Sequence, residues 1–595
     1  MRVLDPTSLS IATNRIPPYG AMRIFLALVL AVAALSGAAG AAPPPNVLFI
    51  SVDDLNDWIS PLGGHPQSKT PNFERLAKMS VLFTNAYCAA PSCNPSRTAI
   101  FSGLPPHRSG LYGNAQKLRE VLPDAELLPK YFSRHGYWSA GAGKLLHYII
   151  DPPSWDDYFP AKDTDRPLPF TVYPKKRPVN LPVGGPWQYV ETDWAPLDVT
   201  DEEFGGDWSV TQWIGGQLQR DSSQPFFLAC GLYRPHEPWF VPKKYFEPFP
   251  LESIQVGPGY RENDLDDVPP RGQAIARNRY FEHIRKNRQW QQAVQAYLAS
   301  IHFADAMLGR VLDAVERSPQ RDNTIIVLWS DHGWHLGEKE HWQKYTGWRI
   351  GDRVPLMIRV PRGAPGLTAG TTAGDVCARP VSLVDLFHTL TELCGLPPKA
   401  GVSARSFVPL LRNPKSTWPH AAITQLSTPD EYAVSTQDWR YIHYRDGGEE
   451  LYNIITDPYE WTNLAGKPEH AAKLAELRSL APVGAVPVPA IRVESLPGLA
   501  WQPITGNPVP PSRPDGNTFD VVFINRTGSP VELCWMDPAG AIKSHGLIAP
   551  RAQRREPTRP GSVWMVRDDK NQPLGYFEVR DRSARAEITE GKRAE

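Results

Sequence analysis

Three runs of apolar residues lie within the first 330 positions of the chain, and each is too continuous to be a strand with only one buried face. They lie at 46–52, 226–231 and 324–330 and are rich in Val, Ile, Leu and Phe. Runs of this length and continuity are typical of strands buried on both faces of a parallel sheet. Residues 291–316 instead repeat apolar side chains at helical spacing. This succession of strands and helices predicts an α/β domain with a mostly parallel central sheet over 46–412.

The pattern changes twice beyond that domain. Short strand-like runs followed by a helical pattern at 471–478 predict a smaller α+β subdomain over 413–480. Residues 481–516 are rich in Pro and Gly, which is the composition of a semi-rigid linker. Short apolar runs separated by Gly, Pro and Asp then predict a small β-sandwich over 517–581. Its strands are predicted at 521–525, 531–535, 562–567 and 575–579.

An apolar segment near the start of the chain has the features of a secretory signal peptide. It begins at Met22 and Arg23, continues through an apolar core and reaches small residues around Ala39. We expect residues 1–42 to be such a leader, with translation starting at Met22. An uncleaved membrane anchor is the alternative, although the apolar run is short for a bilayer span. The leader predicts a secreted or periplasmic protein.

Charge and cysteine content exclude some classes of protein. The 595 residues carry 63 Lys plus Arg and 63 Asp plus Glu, so no overall basic field favours nucleic acid. We therefore predict no nucleic-acid partner. Apolar residues make up 41% of the chain, which is ample for well-packed cores. Six cysteines are too few for a disulfide scaffold in a chain of this length.

Acidic and imidazole side chains follow two of the predicted strands. Asp53 and Asp54 come directly after the first apolar run, and Asp331 and His332 come directly after the third. Ligands of open α/β sheets bind at the carboxyl ends of the strands, so these side chains are expected to share one site. A site rich in carboxylates suits a hard divalent cation such as calcium. Taken singly, each pair could instead be a turn or a helix cap.

The pentapeptide CNPSR at 93–97 matches the C-x-P-S-R signature by which sulfatases make their nucleophile. Two structural alternatives exist for Cys93, because free cysteine ranks among the most buried residues and Cys88 is near enough in sequence to form a disulfide. Short motifs also recur by chance. The metal-ligand pattern elsewhere in the chain weighs against these alternatives.

Together these motifs resemble those of the formylglycine-dependent sulfatases, and their sequences are most similar to the iduronate-2-sulfatase branch. The resemblance covers most of residues 46–480 and implies an alkaline-phosphatase-like fold. It also implies that a formylglycine-generating enzyme oxidises Cys93, because a geminal diol, unlike a simple hydroxyl, can expel sulfate through its second hydroxyl. The matching segments are VDDLNDW, CNPSR, GKLLH, YRPHEPW, SDHGWHLGE, HWQKY and ELYNIITDPYEWTNLAG.

The same resemblance assigns roles to individual residues in the removal of sulfate from a sulfated carbohydrate. One calcium ion would be held by a metal set of five residues. Many sulfatases carry Asn at the position that His332 occupies in this set. In a catalytic set of six residues, the cationic side chains would neutralise charge on the sulfate, His236 would protonate the leaving oxygen and His147 would act as a base. The metal set is Asp53, Asp54, Cys93, Asp331 and His332. The catalytic set is Cys93, Arg97, Lys144, His147, His236 and Lys344.

Some of these assignments have structural alternatives. Lys144 and His147 are three residues apart, a spacing that places both on one face of a helical turn. A single lysine is more often a solvated surface charge, and His236 lies between prolines where a histidine can simply complete a loop. Lys344, like Lys144, could instead be a solvated surface charge.

Two other functions compete with sulfate ester hydrolysis. One is phosphoester hydrolysis, by another member of the alkaline-phosphatase superfamily. The other is a non-catalytic binding protein that uses the catalytic fold as a scaffold for its β tail. The C-x-P-S-R signature favours a sulfatase over a phosphatase. The retained charged positions argue against a scaffold, since buried carboxylates around an unused site are costly.

The C-terminal tail resembles the β domain of the von Hippel-Lindau tumour suppressor. The wording FINRTGSPVELCWMDPAG is followed by RR and then SVWMVRD, in the same order and spacing. Trp564 is kept, whereas His545, Thr558 and Ser562 stand where Tyr, Ser and His are expected. We expect Trp564 to be a core aromatic residue. The alternative is that this surface binds a protein or polysaccharide.

Overall fold

The structure of the protein is a computed structural model. The predicted signal peptide and parts of the segment 151–207 lie outside the described residues. No helix within the described ranges is both long and apolar enough to cross a membrane. The structure describes residues 43–589 except 162–166, 175–191, 279, 489–492, 505–507, 515–518, 560 and 581–582.

A mixed nine-stranded sheet organises the large domain, and the three apolar runs form its centre as predicted. The order across the sheet is β8-β2-β7-β6-β1-β5-β3-β4, and β9 also pairs with β2. All of these pairings are parallel except those of β7, which is antiparallel to β2 and β6. The strands are β1 (Asn46–Val52), β2 (Val81–Tyr87), β3 (Trp138–Gly143), β4 (Asp157–Phe159), β5 (Phe226–Leu232), β6 (Thr324–Ser330), β7 (Arg353–Arg359), β8 (Val376–Cys377) and β9 (Val381–Ser382).

Helices cover both faces of this sheet, so its central strands have no polar face. Leu48 and Ile50 of β1 enter one hydrophobic core, whereas Val47 and Phe49 enter another on the opposite face. The helices are α1 (Pro71–Met79), α2 (Cys93–Ser102), α3 (Pro106–Ser109), α4 (Leu118–Val121), α5 (Leu128–Arg134), α6 (Asp201–Phe204), α7 (Asp207–Leu218), α8 (Pro270–Ala276), α9 (Tyr280–Lys286), α10 (Trp290–Arg317), α11 (Arg349–Asp352), α12 (Leu386–Leu393), α13 (Val408–Arg412) and α14 (Ala471–Arg478). The predicted helix at 291–316 is α10.

The smaller subdomain is a four-stranded antiparallel meander closed by α14, in agreement with the α+β prediction. Its strands pair in chain order. They are β10 (Ala422–Gln425), β11 (Tyr432–Ser435), β12 (Trp439–His443) and β13 (Glu449–Asn453).

The C-terminal β domain consists of two sheets that share one hydrophobic core, as expected for a small sandwich. One sheet has the order β14-β20-β19-β16-β17, and the other has the order β18-β15-β21. The strands are β14 (Gln502–Pro503), β15 (Phe519–Asn525), β16 (Val531–Met536), β17 (Ile542–Ile548), β18 (Gln553–Thr558), β19 (Val563–Arg567), β20 (Pro573–Glu578) and β21 (Ala584–Ile588).

The predicted strand set of this domain was incomplete. β17 and β18 were missed because they lack apolar alternation; β17 is exposed over most of its length. β21 pairs in parallel with β15 and lies beyond the predicted boundary at residue 581. The domain therefore extends at least to Ile588.

Trp564 is a core residue of the β domain, as expected. It is 2% exposed, and its indole N–H donates to Thr558 Oγ1 at 2.9 Å. The His545 ring meets the Trp564 ring edge-on, with 4.7 Å between centroids. Two of the positions singled out by the resemblance, His545 and Thr558, therefore contact the buried indole of Trp564.

Candidate active site

Four neighbouring parallel strands, β6, β1, β5 and β3, deliver the candidate residues to one edge of the central sheet. Asp53 follows β1, Asp331 follows β6 and Lys144 follows β3, while the loop after β5 carries His236. Asp54 has a left-handed backbone with φ 57°, a conformation that Asp tolerates better than most residues. Carboxylates and cations from distant parts of the sequence thus converge because the strand ends converge.

The approach of β3 to β5 depends on a glycine. Gly143 has φ 74°, and a Cβ there would lie 2.1 Å from the Gly231 carbonyl oxygen. The next residue, Lys144, donates its backbone N–H to that same oxygen at 3.1 Å. A larger residue at 143 would displace Lys144 from the site.

Cys93 begins helix α2, all of whose ten residues are buried. The side chain of Asn114 supports this start: its Oδ1 accepts from Asn94 N at 2.9 Å and from Ser92 Oγ at 2.7 Å. One turn into the helix, Ser96 Oγ donates to the Asp331 carbonyl at 2.6 Å. The helix start is therefore fixed against the end of β6.

Arg97 lies between two carboxylates at the base of the site. Its Nε donates to Asp331 Oδ2 at 2.8 Å, and its Nη2 donates to Asp53 Oδ1 at 3.0 Å. Its Nη1 donates to the Lys144 carbonyl at 2.6 Å. Because each nitrogen of the guanidinium has a protein acceptor, Arg97 positions the carboxylates and the strand ends in this structure.

Cationic and imidazole groups surround the Cys93 thiol. Lys344 Nζ lies 3.1 Å and His332 Nε2 3.2 Å from Cys93 Sγ, and His147 hydrogen-bonds to the same sulfur. Burial alone would raise the pKa of Cys93, but Lys344, Lys144, His332 and the His147 hydrogen bond outweigh it and hold that pKa well below its ordinary value. The pocket therefore stabilises negative charge on the group at position 93.

The other charges of the site form a dense buried network. Lys344 Nζ donates to Asp54 Oδ1 at 2.7 Å, and Lys144 forms an ion pair with Asp53. Burial lowers the pKa of His332, but Asp331 outweighs it and raises the pKa to about 9. Burial raises the pKa of Asp331 to about 7, against the opposing pull of Arg97.

His236 lies in the loop that follows β5. Its Nε2 lies 3.7 Å from Asp54 Oδ2, and its Nδ1 is 2.6 Å from the Glu237 carbonyl. The loop contains cis peptide bonds at Arg234–Pro235 and Glu237–Pro238. Burial lowers the pKa of His236, but the Asp54 charge outweighs it and raises the pKa above its ordinary value.

Every predicted site residue lies in this cluster, but one local prediction was wrong. Residues 144–148 form a series of bends and not a helical turn. The chain leaves β3 at Gly143, and Tyr148 takes a left-handed backbone with φ 53°. Lys144 and His147 nevertheless both reach Cys93, because the bends fold this segment over the thiol.

Several contributing residues were missed from sequence. Lys144 Nζ lies over the rings of Tyr148 and Tyr233, 4.5 and 5.1 Å from their centroids. Both tyrosines could have been found from sequence, because Tyr148 directly follows His147 and Tyr233 begins the segment YRPHEPW. Asp207 accepts from Tyr233 N at 2.7 Å and from Arg234 N at 2.9 Å, and so fixes the His236 loop. Nothing in the sequence connected Asp207, or Asn114, with the site.

The donor set of the cluster fits a divalent cation. Ligand atoms of Asp53, Cys93, Asp331 and His332 lie within 4.8 Å of one another. Asp54 Oδ2 is buried and accepts no hydrogen bond from any described residue. A buried carboxylate oxygen without a donor is costly unless a cation satisfies it. The chemistry of these oxygens matches a hard ion.

The six cysteines, all within the described residues, are free thiols and all are buried. Cys88 and Cys93 form no disulfide, so that alternative is wrong for this structure. Cys88 Sγ instead lies 3.9 Å from Asp352 Oδ1. Burial, and then the Asp352 charge, raise the pKa of Cys88 well above its ordinary value. The two neighbouring thiols therefore have opposite chemistry.

The chain is similar in sequence to a known protein family and to curated proteins. A protein-family model described as "Sulfatase" matches residues 45–396. The chain is 39% identical over 453 residues to a "Sulfatase" of Formosa agariphila, an alignment that covers 74% of this chain and 86% of that protein. It is 31% identical over 438 residues to the mouse "Iduronate 2-sulfatase", covering 67% of this chain and 78% of the relative.

Solved structures share the fold. One, described as a complex with its substrate D-glucosamine-2-N,6-O-disulfate, has a TM-score of 0.57 at 22% identity and covers 74% of this chain and 97% of its own. The phosphonate monoester hydrolase of Agrobacterium radiobacter has a TM-score of 0.55 at 24% identity and covers 74% of this chain and 96% of its own.

Proposed function

Since the chain belongs to the sulfatase family and is a sulfuric ester hydrolase, we propose that it removes sulfate from a sulfated carbohydrate. The observation that carries this proposal is the position of Cys93, buried at a helix start with Lys344 and His332 within 3.2 Å of its sulfur. The carbohydrate class is supported by relatives named iduronate 2-sulfatase and N-acetylglucosamine-6-O-sulfatase.

Cys93 is proposed to be converted to formylglycine by a formylglycine-generating enzyme. The hydrate of that aldehyde supplies the hydroxyl nucleophile for attack on sulfur. Pro95 and Arg97 complete the C-x-P-S-R signature. The lowered pKa of the Cys93 thiol, caused against the opposing effect of burial mainly by Lys344 and Lys144, supports a pocket that favours an anion at position 93.

Asp53, Asp54, Asp331 and His332, with the group at position 93, would hold one calcium ion. A divalent cation there supplies Lewis-acid polarisation of the sulfate and a lower pKa for the attacking hydroxyl. The unpartnered Asp54 Oδ2 supports this assignment.

The remaining residues bind sulfate and hold protons. Lys144 and Lys344, each at most 4% exposed, neutralise charge on the sulfate oxygens as it builds up. His236, whose pKa is raised, holds the proton destined for the leaving alcohol oxygen. His147, whose pKa is lowered by burial, stays neutral and accepts a proton from the hydroxyl at position 93.

The protein is proposed to act outside the cytoplasm, in the periplasm or after secretion. The apolar leader beginning at Met22 supports this location. Sulfated polysaccharides are too large and too charged to cross a membrane unaided, so an enzyme acting on them meets its substrate there.

Phosphoester hydrolysis is the second candidate function. It is considered because solved phosphonate monoester hydrolases have the same fold as this chain. Direct comparison of 4-nitrophenyl sulfate with 4-nitrophenyl phosphate separates the two candidates. A phosphatase would prefer the phosphate ester.

Mutation of Cys93 tests the proposal. We expect Cys93→Ala to lower kcat/KM for sulfate release by at least about a thousandfold, because the nucleophile is removed. The matched control is Cys88→Ala, which deletes a buried thiol five positions earlier and should retain most activity. Peptide mass spectrometry of residue 93 in protein from its native host should find an aldehyde or its hydrate. An unmodified thiol, or an active Cys93→Ala variant, would refute the mechanism.

A further inference from the structure

The two loops that supply Lys344 and His236 are joined by a hydrogen bond between side chains. Gln343 has φ 85°, and its Nε2 donates to Glu237 Oε1 at 3.0 Å. Each of these two residues is the chain neighbour of a predicted sulfate-binding residue. Tyr345, on the other side of Lys344, is 37% exposed. The Gln343–Glu237 pair therefore connects the Lys344 and His236 loops at a rim next to the partly exposed Tyr345.

Helix α9 adds to this rim. The hydroxyl of Tyr280, the first residue of α9, hydrogen-bonds with Gln343. The preceding segment is anchored to the same hairpin, because Asn278 Nδ2 donates to the Trp342 carbonyl at 2.5 Å. Tyr280 thus extends the hydrogen-bonded rim outward from Glu237.

The β domain reaches this rim through Arg559. This residue directly follows β18, and its guanidinium donates to the Tyr280 hydroxyl oxygen. Arg559 is 215 positions beyond Lys344 in the chain and is half-buried. A residue outside the region matched by the family model, 45–396, is therefore connected by two side chains to the loop that carries His236.

The loop carrying Arg559 is held in place at its base. Arg513 N donates to the Gly561 carbonyl at 2.8 Å, and Val563 N donates to Ser512 Oγ at 2.8 Å. The linker before it is tied to the large domain, where Val486 N donates to the His107 carbonyl at 2.8 Å. These bonds hold the Arg559 loop against the end of the linker, and the start of the linker against the large domain.

We propose that the β domain forms part of the substrate-binding mouth, where Arg559 binds an anionic group of a sulfated glycan beside the scissile sulfate ester. This inference rests on the proposed carbohydrate sulfatase function. Sulfated glycans carry several sulfate or carboxylate groups, and a guanidinium binds either through two parallel N–H donors. The contacts place that cation on a rim that already holds the Lys344 and His236 loops. The β domain would thereby select polyanionic substrates over small sulfate esters.

Binding of a fluorescein-labelled, heparin-derived tetrasaccharide, followed by fluorescence polarisation, tests the proposal without requiring turnover. Arg559→Ala should weaken binding about tenfold, the size expected for one charge-assisted contact. Arg559→Lys should recover part of the loss because the charge returns. The matched control is Arg555→Ala, which removes an exposed arginine of β18 that pairs with Asp520 and should change binding less than about twofold.

Tyr280→Phe separates anion binding from simple attachment of the domain. It removes the hydrogen bond to Arg559 but keeps the cation, so binding should fall less than in Arg559→Ala. Equal losses in these two variants would overturn the proposal in favour of a docking role. Unchanged binding by Arg559→Ala, an equal loss in Arg555→Ala, or no saturable binding by the wild type would also overturn it.

Sulfate release from the same tetrasaccharide by the wild type is measured separately. Absence of this turnover, with Arg559-dependent binding intact, would count against the proposed sulfatase function and not against the role of Arg559.

Discussion

Two fully buried arginines, Arg97 and Arg440, have nearly the same surroundings and serve different ends. Arg97 bridges Asp53 and Asp331 and lies over the Trp329 ring, 5.7 Å from its centroid. Arg440 pairs with Asp352 and Glu460 and lies over the Tyr87 ring, 5.3 Å from its centroid. Each is 0% exposed.

The neighbours of the carboxylates differ between the two centres. Around Arg97, the carboxylates lie close to Cys93, and Asp54 Oδ2 has no hydrogen-bond donor among the described residues. Arg440 instead donates to the Gly347 carbonyl at 2.9 Å and to Ser435 Oγ, and so connects strand β12 to the segment before α11. Burial of paired charges therefore does not identify a functional site. A single carboxylate oxygen without a hydrogen-bond donor does not identify one either, because Glu460 Oε1 beside Arg440 also accepts no hydrogen bond from the described residues. The candidate site is distinguished by the carboxylate and imidazole groups that cluster around Cys93.

Metal removal should separate the two centres most strongly. Chelation is expected to abolish sulfate release, since the proposed cation would polarise the sulfate. Calcium at a hundred times its Kd should stabilise the protein by about 2.7 kcal/mol, measured as a rise in Tm. Asp54→Asn should remove this calcium-dependent rise, whereas Arg440→Ala should keep it. An Arg440→Ala variant without the rise would show that the two centres are coupled.

Truncation of Arg440 should affect stability. Arg440→Ala leaves the Asp352 and Glu460 carboxylates buried with their main cation removed, and should lower the free energy of unfolding by about 3–5 kcal/mol. Urea unfolding at neutral pH measures this loss. The control is Arg445→Ala, because Arg445 is 53% exposed and its 3.7 Å ion pair with Glu431 should be worth less than about 1 kcal/mol. The surviving folded fraction of Arg440→Ala should keep its kcat, and a large loss of kcat would contradict a purely structural role.

The smallest expected effect concerns the pH dependence of kcat/KM. In the wild type, kcat/KM should fall by about tenfold per pH unit on each limb of the profile. His147 must be neutral to accept a proton, and its lowered pKa places the acidic limb below pH 6.5. His236 must be protonated to donate, and its raised pKa places the alkaline limb above pH 6.5. His147→Gln should flatten the acidic limb and His236→Gln the alkaline limb. The control His302→Gln, remote from Cys93, should change neither limb. Reversed limbs would exchange the two proposed roles.

The sequence by itself determined the catalytic core of this protein. The runs at 46–52, 226–231 and 324–330 could be assigned as buried strands because they have no polar face. The parallel-sheet rule then placed Asp53 and Asp331 at one edge. The C-x-P-S-R signature singled out Cys93 because that chemistry requires a particular local order of residues.

Only the tertiary structure decided the contacts between residues far apart in sequence. Bends, not a helical turn, bring His147 to Cys93, and Asp207 fixes the His236 loop across 29 positions of chain. Strands β17 and β18 form because neighbouring strands pair with them, although their own side chains show no apolar alternation. The local CNPSR motif marks Arg97, but nothing in the sequence near Arg440 predicts its buried ion pairs with Asp352 and Glu460. Their roles follow from which side chains folding places around them, and local propensity carries no information about such long-range contacts.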